Sequence, residues 1–283
     1  MIQNNNQNFL DTVKKYSNPK IGFVFIFLII FQFCLIPFVS PGIQGDYNRY
    51  ADYMYLYAIC SYTMIVLGIV IFQAHGLELL SDHFSLWLII FTCFARTRLG
   101  GSHELSYSLY LGFLGLALSI YVIKNRRKFT MPDGNTVFVG FLWSVGTVLI
   151  LAIEQAAFSS NNLTSLSLPP NPINQILKLF LYNISFTTVI EEVCFRGLIV
   201  GYMIMNGYKE DTAFFVQAIL YWGVHYITIS YVPVWFFIGI PLLTLSTTLI
   251  MRKYKMIFLP IMVHTSVNVF INIFIFGLQR YFS

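Results

Sequence analysis

Charge is what this 283-residue sequence lacks most: Asp, Glu, Lys and Arg together make only 10% of it. Soluble domains carry about 25%. With 57% hydrophobic residues and a mean hydropathy of +0.69, the chain has more apolar surface than a water-soluble core of this size can hide. A soluble globular protein is thereby excluded. Cysteine is also scarce. Cys34, Cys60, Cys93 and Cys194 lie in apolar segments without paired spacing, which argues against a disulfide framework and predicts free core thiols. No HExxH motif is present, so the helical two-histidine zinc signature is missing. No internal repeat is visible, unlike the halves of many transporters. A cleavable signal peptide is not expected either: about twenty mostly polar residues precede the first apolar run, Gly22 to Val39, which exceeds the usual 7–15-residue apolar core.

Long apolar runs and aromatics are what the sequence does have. The 28 Phe and 18 Tyr suit side chains that face lipid and its interfacial belts. Crossing about 30 Å of hydrocarbon takes roughly 20 apolar residues. Runs of that kind predict an all-α, polytopic transmembrane bundle of eight or nine spans, at 21–39, 53–72, 79–96, 108–123, 137–158, 176–204, 212–228, 231–250 and 256–278. The third is weakest, because Glu78, Asp82 and His83 lie near its start. Charge placement argues for keeping it. With nine spans and a cytoplasmic N-terminus, the inner loops hold Lys14, Lys15, Lys20, Lys124, Arg126, Arg127, Lys128, Lys209, Arg252, Lys253 and Lys255. The outer side then holds only Arg49, Arg96, Arg98 and Arg280. Deleting the third span would put Lys124 to Lys128 outside, against the positive-inside rule. The net charge of +5 thus reads as orientation charge, and no nucleic-acid partner is expected.

Organisation changes near residue 130. The first four spans carry no charge deep in the membrane, and a polar, Pro-rich loop is expected at 159–174 (SSNNLTSLSLPPNPIN). The division drawn is 1–130 as accessory helices and 131–283 as a chemically active helical core.

Intramembrane polar residues are costly, so each is a functional candidate. In the second half they are Glu154, Lys178, Asn183, Glu191, Glu192, Arg196, His225, His264, Asn268 and Asn272. Glu154 and Lys178 fall near the outer ends of their spans and are read as paired or reaching the interface. Asn183 and Asn272 read as interhelical hydrogen-bonding groups. Glu192 and Arg196 are four apart and suited to an ion pair. Glu191 is turned about 100° away and needs another partner. His264 and Asn268 share a face of the last span. Counted from the inner helix ends, His264 lies roughly 12 Å deep and His225 and Glu191 roughly 20 Å deep, one layer in the cytoplasmic half.

Two imidazoles, a carboxylate and a carboxamide in one cavity suit hydrolysis. A carboxylate with an imidazole activates water, and a second imidazole with a carboxamide stabilises an oxyanion. Cys194 is disfavoured as a nucleophile by its carboxylate neighbours. Glu191, His225 and His264 could instead ligate Zn²⁺ with a position open to water, so the cofactor expectation is none or Zn²⁺.

Three short motifs carry a resemblance. Glu191-Glu192-Val193-Cys194-Phe195-Arg196 fits EExxxR, Tyr221-Trp222-Gly223-Val224-His225 fits FxxxH with Tyr for Phe, and His264-Thr265-Ser266-Val267-Asn268 fits HxxxN. In this order, over about residues 137–275, the chain resembles the CPBP family (CAAX proteases and bacteriocin-processing proteins, or Abi family) and is similar to type II CAAX prenyl endopeptidases. The resemblance implies an intramembrane endopeptidase acting on a membrane protein or a lipidated peptide. In it Glu191 and His225 activate water, while His264 and Asn268 hold the oxyanion. Glu192, Arg196 and Tyr221 support them. A metal-independent glutamate mechanism is the expectation it favours, in a bacterial plasma membrane. The alternative is a non-catalytic scaffold or regulator of the same fold, such as a bacteriocin self-immunity protein; a proton-coupled carrier is the third reading.

Overall fold

The computed structural model describes residues 26–31, 33, 47–71, 83–99, 105–125, 132–158, 172–230 and 233–274. Every regular element among the described residues is helical. In chain order they are α1 (Tyr47–Ile71), α2 (His83–Leu99), α3 (Leu105–Asn125) and α4 (Gly134–Phe158). Next comes α5, a continuous run in which α-helical Pro172–Asn183, Val189–Glu191 and Val200–Met205 alternate with π-helical Ile184–Thr188 and Glu192–Ile199. Then follow α6 (Glu210–Val224), a 3₁₀ turn (Tyr226–Ser230), a π-turn (Trp235–Gly239) leading into α7 (Ile240–Tyr254), and α8 (Phe258–Phe274). Of the first expected span, only 26–31 and 33 are described. Lys14, Lys15, Lys20, Cys34, Glu78, Asp82, Arg126, Arg127, Lys128, Arg280 and positions 159–171 lie outside the described residues. The expected loop ends earlier than drawn, because Pro172 already opens α5, a position that uses its fixed φ and missing N–H.

Local chemistry sets the other ends. Asp133 caps α4 by accepting the Thr136 N–H at 2.6 Å, and its hydrogen bonds with Thr136 hold its carboxyl below the usual aspartate range. Gly207 (φ 82°) and Lys255 (φ 55°) supply the left-handed conformations that close α5 and α7. Helix α6 stops at Val224, short of the expected 228. There the Thr228 hydroxyl and N–H both bond the His225 carbonyl, at 2.7 and 2.9 Å, and tighten the chain into the 3₁₀ turn. His225 is therefore a helix-capping residue and not a mid-span one.

Among the described residues, three helical stretches are long and apolar enough to cross a membrane: Tyr107–Lys124, Gly134–Glu154 and Trp235–Tyr254. Leu56–Ile69, Phe84–Ala95 and Phe258–Ile273 are shorter apolar helices. The outer surface is built of side chains that water would reject, among them Ile153 (70% exposed), Phe113 and Phe215 (65% each). Each would cost about 1.5–3 kcal/mol if left in water; hydrocarbon removes that penalty. At one end, Arg252 pairs with Asp211 and lies 3.6 Å from Glu210, which Lys255 meets at 2.5 Å. The α5–α6 and α7–α8 connections therefore share one face of the bundle.

One apolar core runs through the chain, joining Phe33, Tyr62, Ile89 and Leu111 to Phe195, Tyr221 and Ile261. Phe33 meets Phe195 edge-on at 4.9 Å and Phe84 meets Phe258 at 5.0 Å. A second cluster, with Leu151, Leu243, Leu259 and Val263, packs α4, α7 and α8. Gly239 leaves room for the Trp235 ring within the π-turn: a Cβ there would lie 2.0 Å from it. At Gly146 a Cβ would meet nothing within 4 Å. Gly239→Ala is expected to destabilise the protein by about 1–3 kcal/mol through overpacking. Gly146→Ala is expected to be neutral or to stabilise by about 0.5–1 kcal/mol. Unfolding midpoints of the two variants in detergent check the ordering; equal midpoints would refute it.

Candidate active site

The site is assembled on α5, α6 and α8. Helices α5 and α8 run antiparallel, joined by polar rungs whose spacing shortens toward the site. Asn272 Nδ2 donates to Asn183 Oδ1 at 3.5 Å, and Asn268 Nδ2 to Thr187 Oγ1 at 3.4 Å. Thr188 and Thr265 hydroxyls meet at 2.9 Å, and His264 Nδ1 and Glu192 Oε1 at 2.7 Å. On α5 these rungs fall at residues 183, 187, 188 and 192, a helical face repeat.

The first π-turn of α5 has a visible cause. Both Thr187 and Thr188 hydroxyls donate to the Asn183 carbonyl, each at 3.1 Å, competing with the regular backbone ladder. The Ser185 carbonyl accepts from Tyr62 Oη of α1 at 2.7 Å. Local widening of this kind recurs at functional sites, and here it occurs on both sides of Glu191.

Glu192 and Arg196 form a fully buried ion pair, Oε2 to Nη1 at 2.6 Å. The other Glu192 oxygen takes the His264 Nδ1–H. The Arg196 guanidinium lies over the Tyr221 ring, 4.7 Å from its centroid. Tyr221 Oη donates to Glu191 Oε2 at 3.0 Å and lies 3.4 Å from His264 Nε2. That same Glu191 oxygen is 3.7 Å from His225 Nε2 and 3.8 Å from His264 Nε2. His225 Nδ1 sits 2.7 Å from the Tyr221 carbonyl. A carbonyl only accepts, so Nδ1 carries a proton and Nε2 is the nitrogen turned toward Glu191. The site opens on this side: the His225 side chain is 24% exposed, Glu191 13% and His264 3%.

The structure thus brings together Glu191, Glu192, Arg196, Tyr221, His225 and His264. Asn268 lies one turn from His264, on Thr187 rather than on Glu191. Cys194 is buried in the apolar core, and Cys93 is buried likewise. Glu154 is buried and Lys178 exposed. Among the described residues, no three His, Cys, Asp or Glu side chains are grouped to hold a metal ion. The two threonine rungs and a buried glutamine, Gln217, are absent from the sequence reading. Their signal was available: Thr187 and Thr188 precede Glu191 and Glu192 by four residues, and Gln217 precedes Tyr221 by four.

Residues 173–270 match the family model described as type II CAAX prenyl endopeptidase Rce1-like. This segment is an Rce1-like domain. It includes α5 nearly from its start, all of α6 and α7 and most of α8, hence every residue of the cluster. The family is a protease family. At that level the match supports a CAAX-type membrane protease, and the apolar helices suit an integral membrane protein. No curated protein and no solved structure matches the chain.

Removing one partner of the buried pair leaves the other charge uncompensated, at a cost of about 3–5 kcal/mol. Arg196→Met is therefore expected to unfold at much lower temperature than the parent protein. Glu192→Gln/Arg196→Met should recover part of that loss, and a thermal-unfolding double-mutant cycle checks it. Strict additivity of the two single changes would contradict the pairing.

Proposed function

We propose that the chain is an intramembrane endopeptidase that hydrolyses a peptide bond in a membrane-associated or lipidated protein, with Glu191 as the general base. The observation that carries this reading is the convergence of Tyr221 Oη, His225 Nε2 and His264 Nε2 on one oxygen of Glu191. A water bonded to Glu191 Oε2 and His225 Nε2 fits over the 3.7 Å gap between them. Glu191 takes its proton as the water oxygen attacks the carbonyl carbon. His264 and Asn268 donate to the resulting oxyanion. Since His264 Nδ1–H is committed to Glu192, Nε2 donates only from the doubly protonated ring. The C–N bond then breaks, the proton held by Glu191 passes to the leaving nitrogen, and an acid and an amine result.

The mechanism is read as metal-free. Support comes from the Tyr221 hydroxyl, which donates to the Glu191 oxygen facing both imidazoles and so orients the carboxylate without a cation. An apolar groove of about 630 Å³ between α6 and α7, lined by Phe214, Phe215, Ile219, Trp222, Phe237 and Leu245, supports a lipidated or hydrophobic substrate. It ends at Trp222, whose carbonyl accepts the His225 N–H at 3.1 Å. We further propose that 1–130 are accessory helices around a core formed by 131–283. The N-terminus and the shared basic face of α5–α6 and α7–α8 are placed in the cytoplasm of a bacterial cell, with the site toward that half of the membrane.

The test is cleavage of a library of lipidated and membrane peptides by the purified protein and by Glu191→Gln. The variant is expected to lose about a thousandfold or more in kcat, and the parent should keep its rate in a chelator. Undiminished cleavage by Glu191→Gln would overturn the assignment of the base. Loss of the parent's rate in chelator, restored by Zn²⁺, would overturn the metal-free mechanism.

A further inference from the structure

Gln217 lies on α6, one turn before Tyr221, and is fully buried, yet among the described residues neither its Oε1 nor its Nε2 has a hydrogen-bond partner. Arg196, equally buried on α5, uses Nη1 on Glu192, while among the described residues its Nε and Nη2 find no acceptor. Each such buried group costs about 1–3 kcal/mol if left unsatisfied. The two side chains belong to one interface. Helices α5 and α6 run antiparallel from the turn at 206–209, and Tyr221 meets Glu191, Phe195 and Arg196. One turn back toward that connection on α6 sets Gln217 beside the turn of α5 that carries Arg196. The inventory of groups is complementary. The guanidinium offers donors only, the carboxamide offers an acceptor and a donor, and a water supplies the lone pairs that the donors need.

The form of the ion pair gives this water a consequence. Guanidinium and carboxylate favour a two-pronged fork, but Arg196 reaches only Oε2 of Glu192, and Oε1 is left for His264 Nδ1 at 2.7 Å. An Arg196 with unsatisfied N–H groups would close the fork and compete with His264 for Oε1. We propose that Gln217 and Arg196 hold a buried water between α5 and α6, and that Gln217 thereby acts as a positioning residue, keeping Arg196 single-pronged so that Glu192 can orient His264. The kinetic consequence rests on the hydrolase reading above; the water and the geometry of the pair do not.

The experiment compares high-resolution structures and peptide-cleavage kinetics of the full chain, Gln217→Leu and Gln217→Glu. In the parent, a water is expected within hydrogen-bond distance of both Arg196 and Gln217. In Gln217→Leu, that water is lost, Arg196 contacts both Glu192 oxygens, and kcat falls about tenfold or more through displaced geometry, with KM within twofold. Gln217→Glu keeps an acceptor for Arg196 and should hold kcat within about threefold of the parent. No water at that position in a map that resolves other buried waters would overturn the proposal. So would a single-pronged pair in Gln217→Leu with undiminished kcat, or an equal loss in both variants. If the parent cleaves nothing, the hydrolase reading is what fails, and the water and the pair geometry still decide this inference.

Discussion

The buried pair of Glu192 and Arg196 is the constraint on which the rest of the site depends. Two full charges with no exposure to solvent are tolerated only where geometry and further hydrogen bonds repay their desolvation. Here that requirement fixes three helices at once. Arg196 lies on the Tyr221 ring of α6, and Glu192 takes the imidazole of His264 from α8. His264 is held between adjacent carboxylates, bonded to Glu192 through Nδ1 and facing Glu191 with Nε2. The pair therefore acts as scaffolding for the carboxylate one residue away, the proposed base.

Glu191 gains its environment from the same arrangement. Its neighbour absorbs the arginine, so its own oxygen stays available to a tyrosine hydroxyl and two imidazoles. The polar rungs between α5 and α8 add registry. With antiparallel helices, a slip of one residue would separate Glu192 from His264 and Thr188 from Thr265 together. Helices before residue 130 take part in this: Tyr62 bonds the widened turn of α5, and Phe33 packs on Phe195, which in turn packs on Tyr221. Their contribution is physical support of the helix that carries both glutamates.

Much of this was legible in the sequence because intramembrane polarity is so conspicuous. Glu192 and Arg196 at helical spacing announce their ion pair, and Asn183 and Asn272 read as interhelical hydrogen-bonding groups, though not as each other's partner. The all-α architecture follows from the apolar runs alone. Other features depend on information that spacing does not hold. The first π-turn of α5 arises from threonine hydroxyls competing for a carbonyl, and the early end of α6 from Thr228 bonding back to His225. Both are local contests that an apolar run conceals. The length of α5, in contrast, is close to the span expected at 176–204, although Lys178, Glu191, Glu192 and Arg196 interrupt its apolar character. Asn268 shares a face with His264, as its spacing requires, but its hydrogen bond goes to Thr187, a partner that no pattern on one helix reveals.

The central claim, that Glu191 activates water and does not itself attack the peptide carbonyl, is tested most directly by a single turnover in water labelled with heavy oxygen. The account predicts label in the new carboxylate of the product in the first turnover and none on the protein. An unlabelled first product, with label appearing on the Glu191 side chain as the enzyme is regenerated, would mean that the carboxylate is the nucleophile and would contradict it.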